Sequence, residues 1–177
     1  MNHANLNRAS LEGADLSRAD LRDANLSYAS LANATLVDAR LSGANLYSAV
    51  LSGATLSRAS LEQADLRGAN LDRAHLDHAG FRGAYLWSAK LPGADLGGAQ
   101  LDNAIMIGAD LRGANLGGAH FAGTVLNEAD LSGTSLEGAD LRGALGLTAS
   151  QVCSAKSRRG ALLDDGLQLQ VNSQCGI

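Results

Sequence analysis

The sequence predicts an all-β solenoid of stacked, four-cornered coils, finished by a short C-terminal capping helix. Three observations predict it. Leucine recurs at every fifth residue, alanine stands two residues before it, and glycine often stands two residues after it. A period of five belongs neither to a helix nor to a strand. Self-similarity at a fixed period instead marks units that bury their apolar side only by stacking on one another.

Let the leucine position be i. It runs from Leu6 to Leu141, and 25 of its 28 sites are Leu, with Phe81, Met106 and Phe121 the exceptions. The i−2 position runs from Ala4 to Ala144, interrupted only by Thr124 and Thr134. In an extended segment i−2 and i point the same way, so one small and one medium side chain fill a narrow interior. The i−1 residue points out and is usually Asn, Asp, Ser or Thr, as at Asn5, Asp15, Asn25 and Thr35. The i+2 residue is Gly in 14 of 28 repeats. That preference fits a type II turn over i+1 and i+2, whose second residue needs φ > 0. Each pentapeptide is thus a short edge and a corner. Four corners close a square, so one coil takes 20 residues. The repeats then make about seven coils, a rod about 34 Å long at the ~4.8 Å spacing of β-ladders.

The bulk composition agrees with such a core. With 46% hydrophobic residues but only 3% aromatics, the interior must be built from small and medium aliphatics. No run approaches the ~20 apolar residues of a membrane span. The start, MNHANLNRAS, lacks the layout of a signal peptide. The expectation is a soluble, cytoplasmic protein with no membrane partner. A net charge of −4 argues against general nucleic-acid binding, which needs a basic face.

Stretches such as ADLRGANL (residues 64–71 and 109–116) and GADLSRADLRDANL (residues 13–26) resemble the pentapeptide-repeat family, A(D/N)LXX. The resemblance covers residues 4 to 145 without an insertion. It implies a right-handed quadrilateral β-helix. Some family members resemble a DNA rod and bind type II topoisomerases such as gyrase, so the resemblance also implies a rival function.

The register breaks at ALGLTASQVCSAKSRRG. This divides the chain into a repeat domain, residues 1–146, and a C-terminal cap, residues 147–177. Thr148 and Gln151 form a capping-box pattern, which starts a helix from about Ala149 to Ser157, stopped by Gly160. Val152 and Ala155 would cover the last coil. Leu167, Leu169 and Val171 alternate with Gln168 and Gln170, a pattern for a short half-buried strand. The spacing of Cys153 and Cys175 permits a disulfide, but a cytoplasmic setting favours free thiols. The first coil has no visible cap and is an open edge.

The 20-residue period sorts outward residues onto four faces. On the face of Leu6, Leu26 and their successors, the i−1 column ends in Tyr85, Ile105 and Val125. The i+1 column contains Tyr47, Trp87 and Ile107, and Tyr28 sits at i+2. All three tyrosines and the single tryptophan therefore share one face. Such a patch marks an interface, the plain alternative being aromatics that brace neighbouring coils. The face of Leu16 is the most acidic, with Asp15, Asp38, Asp77, Asp95 and Glu137 against Arg18 and Arg58.

Candidate chemistry is sparse. His75, Asp77 and His78 cluster outward and could share a metal, although a solvated polar edge explains them as well. No nucleophile–base pattern, phosphate-cradling loop or carboxylate pair stands out, and the filled core leaves no ligand cavity. The sequence therefore points to a non-catalytic scaffold without cofactors. Its partner is a protein, most simply a second copy docked side by side through Tyr28, Tyr47, Tyr85, Trp87, Ile105, Ile107 and Val125. The rival, a DNA-mimicking modulator of gyrase, needs a strongly negative surface, whereas acidic residues here are mixed with basic ones on all four faces.

Overall fold

The structure is a computed structural model and describes residues 2–175. Its backbone is a stack of coils joined by parallel bridges between residues 20 apart, from Asn5↔Asn25 to Val125↔Leu145. The predicted period is thus the real one. The pairing is confined to single bridges at i−1, so the edges are too short to form extended strands.

Each repeat uses its backbone groups in a fixed way. The Leu6 N–H donates to the Asn25 carbonyl of the next coil, and the Asn25 N–H donates back to Ala4. The Arg8 N–H reaches the Ser27 carbonyl, and Ala9 closes a turn onto Leu6. Every i+2 residue from Arg8 to Gly143 has positive φ, between 52° and 72°. That is the corner geometry the glycine pattern predicted. Half of these corners are not glycine, and Arg58, Tyr28 and Ser88 hold it as well. A left-handed residue costs about 1–2 kcal/mol, which the ladder on both sides over-determines.

Leucines at i and alanines at i−2 fill one continuous interior and are buried from Leu21 to Leu141. Thr124 and Thr134 keep their hydroxyls satisfied by donating to the Leu101 and Leu131 carbonyls. In the first coil Leu6, Leu11, Leu16 and Ala19 are only partly buried.

The other end is covered by two helices, α1 (Ala149–Ser154) and α2 (Asp165–Cys175). The capping box of α1 is present: Thr148 Oγ1 accepts from the Gln151 N–H, and Gln151 Oε1 accepts from the Thr148 N–H. The Gln151 amide also donates to the carbonyls of Leu126 and Ala129, fastening α1 to the last coil. Ala155 is buried against the core of the coils, as predicted, whereas Val152 is buried between α1 and α2 with Ala149 and Val171. The helix is shorter than the sequence suggested and ends at Ser154. Ala155 is extended (φ −65°, ψ 144°) because the chain rejoins the ladder, with Ser157 bridging Ser135 and Leu162 bridging Asp140. Gly160 is therefore a corner at φ 71°, not a helix stop.

Two further expectations are corrected. Residues 167–171 are not a strand. Leu167 and Val171 stand four apart and pack together against Ala149 and Val152, while Leu169 points away at 71% exposure. An alternating triplet satisfies a helix whenever its outer members form the i, i+4 pair. The cysteines are not free either. Cys153 and Cys175 are bonded, with Cα atoms 5.6 Å apart, tying the end of α2 to α1. This bond pulls against the cytoplasmic expectation, since reducing compartments keep thiols open. No helix among the described residues is long and apolar enough to cross a membrane.

Candidate interaction face

The face of Leu6, Leu26 and their successors is built on one column of bridged i−1 residues. From the N-terminal end its lower half reads Asn5, Asn25, Asn45 and Asp65, each bridged to the next. Its upper half reads Tyr85, Ile105, Val125 and Leu145, bridged in the same way. Leu145 was not among the predicted residues because it lies at the register break. The 20-residue column, extended by one step, reaches it.

The lower half shows what an i−1 residue ordinarily does. The backbone ladder leaves the i+1 N–H unused, and the i−1 side chain takes it. Asn5 Oδ1 accepts from Asn7, Asn25 from Ser27, Asn45 from Tyr47 and Asp65 from Arg67, at 3.0–3.2 Å. This is an Asx-type turn, and it explains why Asn and Asp crowd that position. Ile105, Val125 and Leu145 carry no such acceptor. Consecutive coils thus exchange a hydrogen-bonding side chain for an apolar one in a single column. Elsewhere an apolar i−1 residue occurs singly, as at Val50.

The aromatic residues divide the same way. Tyr28 and Tyr47 make an edge-to-face pair with centroids 5.5 Å apart. Arg8 lies over the Tyr28 ring and Arg67 over the Tyr47 ring, at 5.8 and 5.7 Å. These two tyrosines brace neighbouring coils. Tyr85 and Trp87 are 46% and 55% exposed and belong to no such stack among the described residues. Ile105, Ile107 and Val125 beside them are half-buried, and Leu145 is 54% exposed. Bracing of neighbouring coils therefore accounts for Tyr28 and Tyr47 and does not extend to Tyr85 and Trp87.

Between the halves lies Arg67, bonded through Nε and a terminal nitrogen to both carboxylate oxygens of Asp65 at 2.8 and 2.7 Å. The guanidinium holds the Asp65 carboxyl below its ordinary range. The same forked pair recurs at Asp20–Arg22, Asp110–Arg112 and Asp140–Arg142. Asp140 is pushed down to about 2, chiefly by the Arg142 hydrogen bond. Both members point outward two residues apart, which is why Asp-Leu-Arg makes such a fork.

The metal candidates do not converge. His75 and His78 are exposed, the Asp77 carboxylate accepts from Ser57 Oγ at 2.5 Å, and the His78 ring lies over Gly98. No cluster of metal-ligating side chains occurs among the described residues. Beneath α1 a polar groove of about 590 Å³ is lined by Glu128, Asp130, Thr148, Ser150, Gln151 and Ser154. It is open to solvent and its hydroxyl and amide groups mostly serve the helix cap.

A family model described as pentapeptide repeats, in 8 copies, matches residues 4–43, 44–83, 79–118 and 104–143. The chain belongs to the pentapeptide-repeat family. Among solved structures, this pentapeptide-repeat protein is similar to HetL of the cyanobacterium Nostoc, described as involved in heterocyst differentiation regulation. The identity is 32%, over 90% of this chain and 87% of that one, with a TM-score of 0.38. It is similar to the pentapeptide repeat protein Rfr23 of the cyanobacterium Cyanothece at 27% identity, over 73% of this chain, with a TM-score of 0.40. There it spans 64% of the relative, just under two thirds of that protein's length. A third likeness is to QnrB1, a plasmid-mediated fluoroquinolone resistance protein, at 21% identity, over 98% of this chain and 94% of that one, with a TM-score of 0.42. The comparison with curated proteins found no match.

Proposed function

We propose that this pentapeptide-repeat protein is a non-catalytic structural scaffold that acts by protein–protein contact, first with a second copy of itself. In this reading residues 1–146 form a right-handed quadrilateral β-helix of about seven coils, and residues 147–177 are its cap. The contact face is that of Tyr85, Trp87, Ile105, Ile107 and Val125, with Tyr28 and Tyr47 as its braced lower part.

One observation carries the reading. The i−1 column of this face gives up its hydrogen-bonding role over consecutive coils and becomes apolar while remaining accessible. A chain that breaks its own local rule in one contiguous place does so for a use elsewhere. Large exposed apolar residues gathered on a rigid lattice suit association, because little order is lost on docking. The rival, gyrase modulation by DNA mimicry, is weakened by the forked pairs. Asp20, Asp65, Asp110 and Asp140 are each neutralised by an arginine two residues on.

Light scattering after size exclusion tests the reading. The protein should elute at twice the mass of its 18.1 kDa chain at micromolar concentration. A single-chain mass across the accessible concentration range would overturn it. Inhibition of DNA supercoiling by purified gyrase would restore the rival.

A further inference from the structure

We propose that the two copies dock in parallel, with rods side by side, N-terminal ends level and the two-fold axis running along the rods. This rests on the self-association reading above and adds the orientation.

The polarity of the face is graded along the rod. Its lower coils present Asn25 and Asn45 beside the stacked pair Tyr28 and Tyr47, its fourth level presents Asp65 with Arg67, and its upper coils present Tyr85, Trp87, Ile105 and Ile107. A graded surface matches itself over its full length in one way only. A two-fold axis parallel to the rods preserves height and exchanges left for right. The i−1 column of one copy then faces the i+1 column of the other at the same level. Ile105 meets Ile107 of the second copy, and Tyr85 meets Trp87. In the lower half Asn45 meets Tyr47, while Ser27 is only 7% exposed and already bonded to Asn25 and Asn7, so these coils keep like polarity together without adding Ser-mediated bonds between copies.

The fourth level adds charge complementarity. Asp65 of each copy faces Arg67 of the other, while each Asp65 already holds its own Arg67 by two hydrogen bonds. Four charges of alternating sign then close a ring across the axis. Partly exposed, such a network supplies register more than affinity.

An axis lying across the rods fails on the same columns. Centred on the face, it lays the apolar coils over Asn25 and Asn45 and buries amides without partners. Centred on the apolar half, between Leu86 and Met106, it sets Asp65 against Val125 and leaves the lower coils unpaired. The parallel arrangement is isologous and closed, so it stops at two copies.

Pulsed dipolar spectroscopy on nitroxide labels decides the orientation. The native cysteines are bonded to each other, so labels go on Asn7→Cys at the bottom of the face and, in a second protein, on Asn127→Cys near its top. Parallel docking predicts label–label distances of about 20 Å or less for both, because equal heights add no separation along rods whose coils are ~4.8 Å apart. Crossed docking centred on the face puts both at roughly 30 Å or more, since each coil adds ~4.8 Å. Crossed docking on the apolar half leaves Asn127 short but sends Asn7 beyond about 40 Å on the same spacing. End-to-end docking makes at least one distance long. A dimeric mass with any long distance overturns the orientation and leaves self-association standing. A single-chain mass with no dipolar signal overturns both.

Discussion

Where Asp or Asn stands at i−1, its side-chain oxygen takes the one backbone N–H that the coil ladder leaves unused, as Asp110 does for Arg112 and Asn115 for Gly117. The corners two residues beyond i carry the opposite constraint, a positive φ that the neighbouring coil must accommodate. Gly43 (φ +70°) lies against the Asp23 carboxylate, where a Cβ would collide with Oδ1, whereas nothing stands within 4 Å of a Cβ at Gly118 (φ +65°). Gly118→Ala should therefore lose only the left-handed term, about 1 kcal/mol. Gly43→Ala should lose more, because Asp23 must also move. Thermal unfolding of the two variants checks the order. The forked pairs set the response to acid. Their carboxyls are held below the ordinary range of about 3.9, Asp140 at about 2 through the Arg142 hydrogen bond. A depressed carboxyl contributes stability that is present above its unfolded pKa and is lost as pH falls through the folded one. The melting temperature should stay level from pH 7 to about 5 and drop between about pH 4 and 2. The triple variant Asp65→Asn, Asp110→Asn, Asp140→Asn should begin lower at pH 7 and converge with the wild type at acid pH. Each pair is exposed, so the combined effect will be modest.

Among the elements, the repeats were legible from the leucine and alanine columns, because a side chain confined to a narrow interior leaves its size in the sequence. The capping box was legible for a similar reason: Thr148 and Gln151 answer to adjacent backbone groups. The cap beyond Ser154 was not. Residues 167–171 obey either period, and the choice of helix depends on Ala149 and Val152 lying beneath Leu167 and Val171. The disulfide depends on that same packing, which brings Cys175 back to Cys153 across 22 residues. Closing a loop of that length stabilises a chain by about 3 kcal/mol on the chain-entropy account. Cys153→Ser should therefore loosen α2 while leaving the coils intact. Hydrogen exchange should show faster exchange confined to residues 165–175, with the ladder from Leu21 to Leu141 unchanged. Faster exchange throughout would mean that the cap sets the stability of the whole stack.

At the scale of the molecule, the solenoid turns a column of residues 20 apart into a straight surface. Sorting by 20 was enough to gather Tyr28, Tyr47, Tyr85 and Trp87 onto one face. The division of that face was hidden, because it depends on contacts: the edge-to-face packing of Tyr28 on Tyr47, and the side-chain-to-backbone bonds that stop above Asp65. Leu145 was hidden by the register break, yet its bridge to Val125 completes the apolar column. If copies meet on that column, a charge placed within it must break the dimer and a charge placed elsewhere must not. Sedimentation velocity over a concentration series, on the wild type beside Trp87→Arg and Arg18→Glu, tests this most directly. Trp87 lies on the apolar half of the face, and Arg18 belongs to the acidic face of Leu16. The wild type and Arg18→Glu should both sediment as dimers. Trp87→Arg should shift toward the single chain, its Kd raised by at least about tenfold, the equivalent of about 1.4 kcal/mol. Equal dimerisation of all three proteins, or a wild type that sediments as a single chain throughout, would contradict docking on this face.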